Sequence, residues 1–589
     1  MRALGDLMSG RAARDRQKPA RNVRGREGYG PGASRGVANE PGRVTLDEET
    51  PRSEGSRAAR RQAATRRRRR HRIRRGVLIG LVVLLVLSGG GAGYLYYLTH
   101  DLNRVNVRGL HGALTTGQEA ATENILMAGS TSRCALTVQN PAYGLCSQGV
   151  DGVNSDVIMI LHVDPTHHRL ALLSIPRDLF ILNARSTGAG KVDAGLYEGL
   201  TQVVAAIEED FGIPIQHAVS LNFDQFANVV DALGGINMSF PMSVFDQESG
   251  LNVEGAACVH LSGTQALEVV RARHLQYDAA GNDANDPFSW PQEAQSDLAR
   301  IRRDHEFLRV LATAVAKRGL GNPISDLSLI NSVKGDLTFD QSWSVTDMAD
   351  LVLDFHSVNI AAVPQLTLPV AEVTDPEGAS GDLIFQGSSY GEVEFPAQAQ
   401  DQNAIDQVLG IGPSIDSMTG LPLPRPSSVT VSVMNGTGAE NQAADTASAL
   451  AALGFHTVGV GDTPPTGDVA ETVVYYGSRA PAVEAAAEAV VRSMTGSVIM
   501  AYDPSQVADG AQVTVVTGSQ FAVNAPTVPP TTAGAGGTAA STTPASTETT
   551  APAVAAIATP SAPTSKLQPW DPRACAAGAT PTAPVANPT

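Results

Sequence analysis

Residues 170–182 read Leu-Ala-Leu-Leu-Ser-Ile-Pro-Arg-Asp-Leu-Phe-Ile-Leu, which sets Arg177 and Asp178 inside a run otherwise fit for burial. An ion is costly to take out of water unless it meets a partner. A strand ending in Pro-Arg-Asp therefore marks a strand mouth where an anion is received. Two more arginine sets follow, Arg271 and Arg273 in VVRARH, then Arg300, Arg302 and Arg303 in SDLARIRRDHEFL. Such groups on an acidic body fit a phosphate-bearing ligand, because the planar guanidinium fork pairs with phosphate oxygens two at a time.

The net charge of −16 over 589 residues hides two opposed parts. Residues 1–75 carry 22 Lys+Arg against 8 Asp+Glu, and the remaining residues carry 21 against 51. A body this acidic argues against nucleic acid as its ligand, since that requires a broad basic face. The basic arm ends in Arg66–Arg70, Arg72, Arg74 and Arg75, and from Gly76 to Thr99 no charge occurs. About 20 apolar residues span a hydrocarbon core. The arginines belong on the cytoplasmic side, and Tyr94, Tyr96 and Tyr97 suit the far interface. We expect a single-pass anchor at 76–99, a disordered basic arm at 1–75 inside, and all later residues outside. Cys134 and Cys146 flank a loop-like stretch and could close a small disulfide in an oxidising compartment. Cys258 and Cys575 have no evident partners, and no ligand spacing suggests zinc.

The positioning elements follow from periodicity. Asn124–Gly129, Asp156–Val163 and Arg169–Ile175 are apolar, β-rich runs. Thr201–Phe211, Asp224–Leu233 and Leu298–Lys317 carry apolar residues at helical spacing. The fold class is α/β, with a mixed sheet covered by helices over 120–335. Residues 336–426 extend this domain through a helix at Val345–Phe355 and a connector. A second, smaller α/β domain occupies 428–518, with a strand at Val429–Met434, a turn at Asn435-Gly436-Thr437-Gly438, an Ala-rich helix from about Glu440 to Leu453 and a strand at Thr472–Tyr476. Residues 521–589 are rich in Pro, Thr and Ala, a composition expected to stay disordered.

Seven blocks stand in order: NILMAGSTSR (124–133), NSDVIMILHVD (154–164), LALLSIPRDLFI (170–181), KVDAGLYEG (191–199), FDQFANVVDALGGI (224–236), LSGTQALEVVRARH (261–274) and DLARIRRDHEFLR (297–309). This order, below a basic arm and one apolar span, resembles the LytR-CpsA-Psr family of cell-wall glycopolymer ligases. The 428–518 stretch resembles the LytR C-terminal domain of actinobacterial members. The resemblance implies an α/β/α sandwich with a hydrophobic tunnel for a polyprenyl chain and an arginine-ringed pyrophosphate pocket with Mg²⁺. It implies a phosphotransferase that takes a glycopolymer from a polyprenyl-pyrophosphate carrier at the cell membrane and joins it to peptidoglycan by a phosphodiester.

Carried over residue by residue, Arg133, Arg177, Arg271, Arg273 and Arg300 match the family's pyrophosphate arginines, and Arg303 is a further candidate. Asp156 matches the Mg²⁺-binding aspartate. A second carboxylate is usual in Gly-Ser-Asp-x-Arg, where this chain has Thr131, a hydroxyl without charge, so Asp178 is a candidate to assist the metal. Asp297 stands where it could hold an arginine or act as a base toward the acceptor hydroxyl. Lys191, with Asp193, fits a pocket wall and a turn-stabilising pair equally well. Arg302 is expected to point into solvent. Ile125, Met127, Val157, Met159, Leu161 and Leu172 suit a lipid tunnel or a plain core. A non-catalytic polymer-binding scaffold and a lipid-pyrophosphate hydrolase are the alternative functions.

Overall fold

The computed structural model describes residues 102–111, 122–132, 134, 145–148, 152–294, 296–318, 337–355, most of 358–524, and 566–582. The basic arm, the apolar run 76–99 and Arg133 lie outside the described residues. Among the described residues no helix is long and apolar enough to cross a membrane.

Among the described residues seven strands form the central sheet: β1 (Asn103–Val105), β2 (Glu123–Ser130), β3 (Ser155–Asp164), β4 (Arg169–Ile175), β5 (His217–Asn222), β6 (Thr338–Asp340) and β7 (Gln365–Thr367). Their spatial order is β1-β6-β5-β2-β3-β4-β7. β2, β3 and β4 are antiparallel neighbours, whereas β5 runs parallel to β2 and β7 parallel to β4. Side chains alternate between the two faces of a strand. Leu126, Ile158, Ile160, Leu173 and Ile175 therefore share one face, where they pack with Val203, Val204, Ile207 and Phe211 of α1 (Leu200–Phe211). Met127, Val157 and Met159 face the opposite side, beneath α2 (Phe223–Ala232), α3 (Gly263–Arg271) and α4 (Ser296–Arg318). Helices on both faces make this domain an α/β/α sandwich.

Local chemistry sets the helix ends. α1 stops at Gly212, whose φ of 64° is left-handed and costs glycine no Cβ clash. α2 and α3 each start in a reciprocal capping box, Asn222 with Gln225 and Ser262 with Gln265. Gly263 admits the close approach of α3 to α2, because a Cβ there would lie 2.0 Å from the Ala227 carbonyl oxygen.

The smaller domain is a five-stranded sheet in the order 456–462, 430–435, 513–517, 472–476, 498–502. Thr430–Asn435 and His456–Asp462 are parallel and joined by the helix Gln442–Ala452, a βαβ unit. Asn435 Oδ1 accepts from the backbone N–H of Thr437 and Gly438 at 3.2 and 3.0 Å, so that loop is a tight turn. This domain docks on the sandwich through Arg492, which grips Asp406 at 2.7 and 2.9 Å. Arg479 reaches Glu209 of α1 at 2.8 Å.

The expectation of a disordered tail from 521 fails in two places. Phe521–Val523 pairs with Met494–Gly496. Farther on, 566–582 returns to the first domain, where Arg573–Ala574 pairs with Met238–Ser239 and Cys575 is disulfide-bonded to Cys258. Low hydrophobicity hid this because the segment is held by a disulfide, ion pairs and one tryptophan, not by an apolar face. Cys134 and Cys146 form the other disulfide.

Candidate active site

The strand mouth after β4 carries Arg177 and Asp178 in the turn that follows Pro176. Asp156 stands next to the start of β3, beside that mouth. Arg271 is the last residue of α3, and the extended backbone of Ala272, ψ 115°, brings Arg273 back toward the same place. Asp297, Arg300 and Asp304 recur at helical spacing on one face of α4. A cavity of about 240 Å³ results, lined by Asp156, Arg177, Glu248, Arg271, Arg273, His274 and Arg300. Four of the arginines singled out from the sequence thus converge from three separate stretches.

Carboxylates hold Arg177, Arg273 and Arg300 in place. Arg177 donates to Asp156 and lies 3.3 Å from Asp178 and 3.5 Å from Asp297. Asp297 also stands 3.5 Å from Arg273 and 3.1 Å from Arg300. It is 6% exposed and does not line the cavity. Of its two expected roles, holding arginines therefore fits better than acting as a base. Lys191 Nζ donates to Asp178 Oδ1 at 2.8 Å. Burial opposes the charge on Arg177, but Asp156, Asp178 and Asp297 more than offset it, so its guanidinium stays protonated. Burial pushes Asp304 up to about 8 against the pull of Arg300 and Arg303.

Two further cavities adjoin this one. An apolar cavity of about 190 Å³ runs between the sheet and α2–α4, and it shares Asp156 and Arg271 with the arginine cavity. Met127, Val157 and Met159 line it, whereas Ile125 and Leu161 pack in a separate cluster with Trp343 and Phe355. On the other side, a polar cleft of about 670 Å³ shares Arg177 and adds Asp178, Arg185, Lys191, Asp193 and Tyr390. Asp193 is pushed up to about 7, chiefly by burial, with Arg177 opposing.

Arg302 and Arg303 lie elsewhere. Arg302 is buried, 6% exposed, instead of reaching solvent, and donates to Asp571 at 2.6 and 3.2 Å. Arg303 is fully buried among Glu293, the Ala272 carbonyl and Asp571, away from the cavity. Asp304, Glu248 and His274 reach the cavities without having been singled out. Asp304 was legible from its spacing to Asp297 and Arg300, whereas Glu248 carried no signal.

Among the described residues a divalent cation finds one suitable ligand here. Asp178 spends both oxygens on Lys191, Arg177 and Arg273. The Thr131 hydroxyl accepts from the Asn154 N–H at 3.0 Å. Asp156 borders both the arginine and the apolar cavities and retains an oxygen beyond its bond to Arg177. Among the described residues no group of three or more His, Cys, Asp or Glu is placed to hold a metal. Mg²⁺ needs only one or two carboxylates when phosphate oxygens and water complete its shell, so Asp156 fits it.

An α/β/α sandwich with an arginine-lined cavity beside an apolar one defines the class of this protein. The LytR_cpsA_psr family model matches residues 99–405, and a model described as "LytR cell envelope-related transcriptional attenuator" matches 428–521. The chain belongs to the LytR_cpsA_psr family. It is 30% identical over 277 residues to the "Probable cell wall biosynthesis protein LcpB" of Corynebacterium glutamicum, covering 46% of this chain and 60% of that protein. To the "Cell wall biosynthesis protein LcpA" of the same organism it is 25% identical, over 68% of this chain and 78% of the other. A Bacillus anthracis protein named "Polyisoprenyl-teichoic acid--peptidoglycan teichoic acid transferase TagU" is 26% identical over 34% of this chain and 61% of its own. The matches thus span 60% and 61% of the LcpB and TagU proteins. Among solved structures, the "LytR-Csp2A-Psr enzyme from Actinomyces oris" is 23% identical, with 53% of this chain and 97% of that one covered, at a TM-score of 0.39.

Proposed function

We propose that this chain is a membrane-anchored phosphotransferase that moves a glycopolymer from a polyprenyl-pyrophosphate carrier onto peptidoglycan through a phosphodiester bond. Arg177, Arg271, Arg273 and Arg300 converge with Asp156 on a cavity that adjoins an apolar one, and that convergence carries the assignment. A polyprenyl diphosphate has the same two halves, one apolar and one densely anionic. The names of the LcpB and TagU relatives, in wall biosynthesis and teichoic acid transfer, support the same class of chemistry.

In this mechanism an acceptor hydroxyl enters from the polar cleft and attacks the phosphorus that carries the glycan. The bond from that phosphorus to the bridging oxygen breaks, and polyprenyl phosphate leaves with the electron pair. The hydroxyl proton passes to a carboxylate of the cleft, and Asp193, titrating at about 7, is the group best matched to neutral pH. Arginines held in place by Asp297 and Asp178 meet the charge that builds on the leaving oxygen, with no reorganisation at the moment of reaction. Asp156 would hold a Mg²⁺ that neutralises further diphosphate charge. The arginine cluster at 66–70 and the uncharged run 76–99 support an anchor with its N-terminus cytoplasmic and both domains outside.

Single-turnover transfer from a polyprenyl-pyrophosphate-linked glycan to peptidoglycan tests the assignment. Arg177→Ala and Arg273→Ala should each abolish transfer in a folded protein, and Asp156→Ala should lose Mg²⁺ stimulation. Release of free glycan phosphate without peptidoglycan would identify a hydrolase instead, and lipid retained without turnover a binding scaffold.

A further inference from the structure

None of the roles above uses the C-terminal segment, yet it carries a fully buried carboxylate. Asp571 and Arg303 are 0% exposed, Glu293 5% and Arg302 6%. These four groups form a closed, charge-balanced quartet. Asp571 takes Arg302 through two hydrogen bonds and stands 3.8 Å from Arg303. Glu293 takes Arg303, lies 3.5 Å from Arg302 and accepts the Trp570 indole N–H at 3.2 Å. The Trp570 ring stacks on Tyr277 with centroids 4.0 Å apart and planes 4° apart.

The quartet acts on the arginine cavity through the backbone. Arg303 donates to the carbonyl of Ala272, the single residue between Arg271 and Arg273. Glu293 N–H donates to the Leu275 carbonyl at 2.9 Å. Segment 271–277 is thus clamped by two residues whose own charges are completed from the far end of the chain. Without the Asp571 carboxylate, two buried guanidinium groups would compete for Glu293. The desolvation cost of the unmatched cation would then draw Arg303 off the Ala272 carbonyl.

We propose that Asp571 and Trp570 are positioning residues for the diphosphate site. They fix the spacing of Arg271 and Arg273 through Arg302, Arg303 and Glu293, without touching the ligand. The role rests on the diphosphate assignment made above. The C-terminal segment is accordingly a working part of the first domain, although about 40 residues of Pro, Thr and Ala-rich chain separate it from the second.

The test uses the full-length protein in detergent and two probes, geranylgeranyl diphosphate and the alcohol geranylgeraniol, which lacks the phosphates. Asp571→Asn should weaken diphosphate binding by about tenfold, the scale of one charge-assisted contact, and leave alcohol binding unchanged. Trp570→Phe keeps the stacking and removes one donor to Glu293. It should weaken the diphosphate a few-fold, and it decides the matter if Asp571→Asn does not fold. Wild-type diphosphate affinity in the decisive variant, or equal weakening toward both probes, overturns the positioning role. Failure of the wild-type protein to bind geranylgeranyl diphosphate would instead sink the diphosphate assignment itself.

Discussion

Asp297 lies within 3.5 Å of Arg177 and Arg273 and 3.1 Å from Arg300, so one carboxylate sets the mutual spacing of three guanidinium groups. Asp297→Asn keeps the shape and removes the charge. Affinity for a polyprenyl diphosphate should drop by about tenfold or more while the domain stays folded, since charge-assisted bonds are roughly twice as strong as neutral ones; a binding titration checks it. Asp304 gives a pH signature. Its folded titration point is about 8, whereas a carboxyl in the unfolded chain titrates near 4. Between those values the folded state retains a proton that the unfolded state has lost, so stability falls as pH rises. Thermal unfolding of Asp304→Asn across that window should show a flatter pH dependence than wild type. Asp193 acts in the opposite sense on rate. Transfer should rise as pH passes through about 7 and lose that rise in Asp193→Asn, with donor affinity retained.

At the scale of elements, periodicity located most of the site's supports. Val345–Phe355 and Arg169–Ile175 form the elements their spacing predicts, and α1, α2 and α4 differ from expectation by a residue or two at their ends, whereas α3 is not among the expected helices. Capping boxes and glycine stops explain that accuracy, because they are local chemistry. The contact of α3 with α2 is not local. A Cβ at position 263 would lie 2.0 Å from the Ala227 carbonyl oxygen. Gly263→Ala should therefore cost about 3 kcal/mol or more, the upper range for overpacking. It should also move Arg271, which ends the same helix; chemical denaturation and diphosphate affinity would report the two effects separately.

For the whole molecule, Arg492 fastens the second domain together with the Arg479–Glu209 pair and the apolar packing of Val473, Ile499 and Ala501. Arg492 reaches Asp406 of the first domain and Glu488 on its own helix, both almost fully buried. Arg492→Ala would leave two buried carboxylates without a cation, a change that costs about 3–5 kcal/mol when a buried pair is broken. Calorimetry should then resolve separate melting of the two domains where wild type gives a more cooperative transition.

The amino-acid order alone determined which residue types could bind a diphosphate, where most strands and helices run, and the basic, apolar and acidic zoning of the chain. These are properties of near neighbours, and period and charge encode them. Only the folded structure decided which arginines share a cavity. Arg300 and Arg303 are one helical turn apart, yet the first lines the cavity while the second is buried with Glu293 and Asp571. The tail was illegible for the same reason. Its disulfide to Cys258 and its ion pair with Arg302 join residues separated by 317 and 269 positions, and no periodicity reports a contact made only after the intervening chain has folded.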